Sequence, residues 1–115
     1  MDKKYDLEDR TLELGKEIIR LCKTLPANTI NFRLIDQSIR SGTSVGANYR
    51  EANETDTKKD FRFKIRICLR EARETIYWLE LIKEANQNFS ARIDKLISET
   101  REIVKIFGSI LEKSK

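Results

Sequence analysis

Apolar residues return every three to four positions along this chain, in four runs separated by short polar or proline-bearing breaks, and each run predicts an amphipathic helix. The first extends from about Asp6 to Thr24. Leu7, Leu14, Ile18, Leu21 and Leu25 make its stripe, and Leu12, Ile19 and Cys22 widen it to the broad face of a bundle helix. Pro26 has no N–H and restricts Leu25 to extended backbone, so the helix stops there.

Asn28 or Thr29 can cap the second run, which carries Phe32, Ile35, Ile39, Gly42, Val45, Gly46 and Tyr49 on one side. Its middle, Ser41-Gly42-Thr43-Ser44-Val45-Gly46, contains two glycines, each costing roughly 1 kcal/mol in a helix interior relative to alanine. We expect a continuous helix whose small-residue face lets another helix approach closely. A break near Ser41 is the alternative.

The third run opens after Asp56 or Thr57 and repeats Phe61, Ile65, Cys68, Ala72, Thr75, Leu79 and Ile82, ending at Asn86, Asn88 and Ser90. At about 1.5 Å per residue it predicts a spine of roughly 40 Å against which the others pack. Ser90 is the expected N-cap of the last helix, with Ile93, Leu96, Ile97, Thr100, Val104, Phe107, Ile110 and Leu111 on its apolar face. Helices joined by short turns pack as antiparallel neighbours. The expectation is therefore an all-α, up-down-up-down four-helix bundle forming one domain over residues 1–115.

Composition agrees with long solvated helices: 37% of residues are charged, against one Pro and four Gly. The opening Met1-Asp2-Lys3-Lys4-Tyr5-Asp6 leads into no apolar signal region, and no stretch approaches the roughly 18 apolar residues of a membrane span, so a cytoplasmic protein is expected. Cys22 and Cys68 each fall in an apolar stripe and read as small core residues of a reducing compartment.

Gly42-Thr43-Ser44-Val45-Gly46 matches the G-x-S-x-G nucleophile elbow, but that device needs a preceding strand and a histidine, and the chain has no histidine. The same lack removes the Glu-x-x-His ligands of bundle di-iron sites. Glu71 and Glu74 lie beside Arg70 and Arg73 and read as ion pairs flanking a helix interface. No catalytic residue, metal ligand or cofactor site is assigned.

Lys58, Lys59, Arg62, Lys64, Arg66 and Arg70 set six positive charges against the single Asp60, in a chain of net charge +4. On a helix Lys59, Arg62, Arg66, Arg70 and Arg73 share one face, a geometry able to track a phosphate backbone, and Lys58 adjoins it. The other reading is a solvated flank whose long stems cover core edges. Arg40, Ser44, Asn48 and Glu51 form a polar stripe on the second helix that needs partners if buried, with Glu74 or Arg70 as candidates. Tyr77 and Trp78 offer an aromatic surface for docking another protein.

The run Gln37-Ser38-Ile39-Arg40-Ser41-Gly42-Thr43-Ser44-Val45-Gly46-Ala47-Asn48-Tyr49-Arg50-Glu51-Ala52, with Lys59-Asp60-Phe61 and Cys68 to Leu79, resembles the 23S rRNA intervening-sequence protein family, also labelled S23-type. The family's Arg-Ser-x-x-Ser-x-x-x-Asn-x-x-Glu core and later Glu fall here on Arg40, Ser41, Ser44, Asn48, Glu51 and Glu74. Ala52 stands where the family often has Gly, and Glu71 where a Ser is common. The resemblance implies an antiparallel bundle in a bacterial protein that assembles into a ring, commonly a homopentamer. It further implies association with RNA or, as in distant relatives, with reverse transcriptases. Two functions are thereby expected: a nonspecific RNA-binding accessory using Lys58, Lys59, Arg62, Arg66, Arg70 and Arg73, or a protein-interaction scaffold.

Overall fold

The computed structural model describes residues 6–115; the charged opening, Met1 to Tyr5, lies outside the described residues. Four helices follow in order: α1 Leu7–Thr24, α2 Thr29–Ala52, α3 Lys58–Ala85 and α4 Ser90–Lys113. A short 3-10 turn, Gln87–Phe89, joins α3 to α4. Each helix packs on its sequence neighbours and α1 closes on α4, while among the described residues the diagonal helices keep their backbones apart, Tyr49 of α2 meeting Phe107 of α4 across the core with ring centres 5.8 Å apart. The chain is a four-helix bundle, 45 × 28 × 19 Å.

Local chemistry sets the ends. Leu25 takes an extended conformation ahead of Pro26 and stops α1. Asn28 Oδ1 accepts the Asn31 amide at 2.8 Å, and Thr57 Oγ1 accepts the Asp60 amide at 3.0 Å, each satisfying an N–H that the first helical turn leaves unpaired. Ser90 is not a cap: the 3-10 turn carries the chain into α4, Ser90 is already helical, and Phe89 precedes it without a side-chain bond.

α2 runs unbroken through its glycines because a neighbour fills the space they leave. A Cβ at Gly42 would collide with Ile18 Cδ1, and one at Gly46 would lie 3.0 Å from Thr11 Oγ1 and 3.3 Å from the Thr11 backbone carbon. Close packing with α1 offsets the weak helix propensity. Ile18, Leu21, Val45, Ile65, Cys68, Ala72, Leu79, Ile82, Ile93, Ile103 and Phe107 form the centre of the core.

The rotation of the helices differs from the expected stripes at four places. Phe32 points to solvent while its neighbour Asn31 is buried, and Leu12 and Ile19 stand exposed at the edge of α1. In α4 the buried position is Ile103, with Val104 only partly covered. The apolar run was wider than the surface two adjoining helices can cover, so its outer members remain at the rim.

Candidate functional site

α2 and α3 face each other along their full length, and the polar stripe of α2 lies on this seam. Arg40 crosses it: Nη1 donates to Glu71 Oε1 at 3.3 Å and Nη2 pairs with Glu74. Glu74 Oε2 also accepts the Trp78 indole N–H at 2.9 Å. Glu71 is buried, and the Arg70 guanidinium reaches it only at 3.9 Å. A carboxylate taken out of water is stable only with a cation and hydrogen bonds at hand, and Arg40 supplies both.

The remaining motif residues are distributed along the same seam. The Ser41 and Thr75 hydroxyls pair at 2.9 Å inside the helix interface. Glu51 accepts Lys64 at 2.6 Å near the far end. Ser44 and Asn48 turn back on their own helix, the Ser44 hydroxyl donating to the Arg40 carbonyl at 2.7 Å and the Asn48 amide to the Ser44 carbonyl at 2.9 Å. Of the six, Arg40, Ser41, Glu51 and Glu74 therefore bridge α2 to α3. Ser44 sits within a continuous helix and makes no nucleophile elbow.

The basic residues of α3 divide in two. Lys58 Nζ donates to the Lys115 carbonyl at 3.0 Å; Arg62 Nη1 donates to the Leu111 carbonyl at 2.6 Å and to Ser114 Oγ at 2.7 Å. These two fasten the C-terminal end of α4, where cations are favoured by the exposed carbonyls. Lys59, Arg66 and Arg73 are exposed and make no ion pair or side-chain hydrogen bond among the described residues, and Arg70 is 70% exposed. They occupy the outer side of α3. Phe63 and Tyr77 lie exposed on the same helix, with the Tyr77 and Trp78 rings 5.0 Å apart edge to face.

α1, diagonal to α3, carries Asp9, Glu13 and Glu17 at four-residue spacing, answered on their own helix by Arg20. Cys22 and Cys68 are buried and unpaired; burial pushes their thiols up to about 11 and about 12, so neither is a nucleophile near neutral pH.

Sequence reasoning missed the tie between Arg40 and Glu71 and the indole bond to Glu74. The spacing of Glu74 and Trp78, one helical turn, carried a signal for the second. For the first no local signal existed.

The family profile for the 23S rRNA-intervening sequence protein matches residues 3–109. The chain belongs to that family. A crystal structure similar to it, titled as a protein of unknown function from the S23 ribosomal protein family of Bacteroides thetaiotaomicron VPI-5482, superposes with a TM-score of 0.83 at 38% identity. The match spans 90% of this chain and 96% of that one. Among curated proteins none matches. In this member of the 23S rRNA-intervening sequence protein family, the Arg40–Glu74 pair ties α2 to α3, and the outer face of α3 presents Lys59, Arg66, Arg70 and Arg73 to solvent.

Proposed function

We propose that this member of the 23S rRNA-intervening sequence protein family is a non-enzymatic, homo-oligomeric RNA-binding accessory of the cytoplasm. It holds RNA by phosphate contacts from Lys59, Arg66, Arg70 and Arg73. The observation that carries this reading is that these four cations project from one side of the helix, Lys59, Arg66 and Arg73 without an ion-pair partner among the described residues and Arg70 70% exposed with Glu71 only at 3.9 Å. Lys58 and Arg62 add charge to the same helix while bonded to α4. Contacts to phosphates give affinity without base readout, so binding is nonspecific and strongly salt-dependent. Assembly into a ring such as a homopentamer, which the family resemblance supports, would offer several such faces to one RNA and raise avidity.

The test is the affinity of the purified protein for a structured RNA across a salt series, beside a variant with Lys59, Arg66, Arg70 and Arg73 changed to Gln. Arg62 is left in place because it fastens α4. Losing four phosphate contacts reduces the slope of log affinity against log salt by about 3. Absence of binding by the native protein at low salt sinks the reading.

A second reading, a scaffold that docks another protein, draws on Phe63 and Tyr77, each 58% exposed on α3. Aromatic side chains left at a surface are the usual anchors of such interfaces. Salt-insensitive capture of a partner, lost on Phe63→Ser with Tyr77→Ser, distinguishes it.

A further inference from the structure

Gly108 stands in the interior of α4, exposed, and a Cβ built on it would meet no atom within 4 Å. An interior glycine weakens a helix. At Gly42 and Gly46 the packing of α1 accounts for the absent side chain; at Gly108 nothing among the described residues does.

Its position gives the absence a meaning. Asp94, Arg101 and Gly108 follow at intervals of seven residues, so they share one edge of α4. The first two reach across to α3: Lys83 pairs with Asp94 at 2.9 Å and Arg101 with Glu80 at 3.4 Å. Where a third cross-seam pair would stand, the side chain is missing. Farther along the seam Arg62 binds the carbonyl of Leu111, one turn beyond Gly108. Between Glu80 and Arg62 the outer side of α3 carries Arg66 and Arg73, exposed and without an ion-pair partner among the described residues. The register set by these contacts puts the α3 stretch that carries Arg66 and Arg73 beside Gly108, so the seam has a notch there, formed on the α4 side by exposed helix backbone.

We infer that this notch is where a phosphodiester backbone makes its closest approach, seated against α4 at Gly108 and held by Arg66 and Arg73. A planar guanidinium binds phosphate through two parallel N–H bonds, and a missing Cβ lets the strand come near enough for both arginines to engage it. The inference rests on the RNA-binding reading and adds to it the path of the strand: along the α3–α4 seam, away from the polar α2–α3 seam.

The experiment measures binding of a short fluorescein-labelled RNA hairpin at low salt by native protein and by Gly108→Ala, Gly108→Leu and Ser98→Leu. Ser98 is an exposed residue elsewhere on α4 and serves as the control. Circular dichroism checks the fold, and both Gly108 variants should melt at a higher temperature than the native protein, since each is a better helix former in open space. Gly108→Leu is expected to weaken binding roughly tenfold, about the contribution of one charge-assisted contact, with Gly108→Ala intermediate and Ser98→Leu unchanged. If the native protein binds, the four-Gln variant does not, and Gly108→Leu binds as tightly as native, the notch is overturned while the RNA-binding face stands. If the native protein does not bind, the face itself fails and the notch with it.

Discussion

Asn31 and Asn86 face each other as a reciprocal amide pair, with Asn31 Nδ2 at 3.0 Å from Asn86 Oδ1 and Asn86 Nδ2 at 2.9 Å from Asn31 Oδ1. Both are buried. The second proton of each amide is also used, Asn31 donating to the Pro26 carbonyl at 2.8 Å and Asn86 to the Ile82 carbonyl at 3.0 Å. The pair joins the first turn of α2, and through Asn31 the Pro26 carbonyl before it, to the end of α3. Replacing either residue by Leu strands the other amide and a backbone carbonyl, at a cost of about 2–3 kcal/mol. Because the two losses concern one set of bonds, the double variant should cost clearly less than their sum in urea unfolding; additive costs would refute the coupling.

The glycines predict a ranking. At Gly15 a Cβ would find ordinary contacts of 3.7 Å and beyond, so Gly15→Ala should stabilise by about 0.5–1 kcal/mol through helix propensity. At Gly46 the new atom presses on Thr11 backbone, which cannot swing aside, and the overpacking cost of about 1–3 kcal/mol exceeds the gain. Thermal melting should place Gly15→Ala above the native protein and Gly46→Ala below it. The reverse order would mean that α1 and α2 are not in close contact.

Trp78 is the chain's sole tryptophan, so its fluorescence reports on the Arg40–Glu74 pair to which its indole is bonded. Arg40→Gln leaves Glu71 buried beside only a distant Arg70 and should cost about 1–3 kcal/mol, with a changed emission maximum. Arg20→Gln, which removes exposed pairs to Glu13 and Glu17, should cost at most about 1 kcal/mol and leave the emission unchanged. Equal effects from the two variants would remove the distinction between the seam and an ordinary surface pair.

The two thiols make stability fall at alkaline pH. Burial raises Cys22 to about 11 and Cys68 to about 12 from a usual value of 9.0, so between pH 9 and those values the unfolded chain releases protons that the folded chain keeps. Stability is unaffected by them below pH 9 and declines above it by about 1.4 kcal/mol per pH unit for each thiol. Urea unfolding at pH 8 and pH 10 should show the decline, and Cys22→Ala with Cys68→Ala should reduce it. A thiol reagent at pH 8 should react only once denaturant opens the bundle.

The sequence by itself determined the four helices, most of their ends and the family. Those signals act within a few residues: a 3.6-residue period in Leu, Ile and Val, proline at 26, and caps at Asn28 and Thr57. It also marked Lys59, Arg62, Arg66, Arg70 and Arg73 as a group with Lys58 beside it, because their common face follows from spacing alone. Tertiary structure decided everything that depends on competition between neighbours. Asn31 is inside and Phe32 outside because a fully bonded amide pair could form only across the α2–α3 end, and Ile103 displaced Val104 because α4 turns that edge to the core. Arg62 is bonded and Arg66 exposed for the same reason: only Arg62 lies within reach of the last carbonyls of α4. Burial and pairing are properties of distances between segments far apart in the chain, and a local pattern fixes the candidates without fixing the distances.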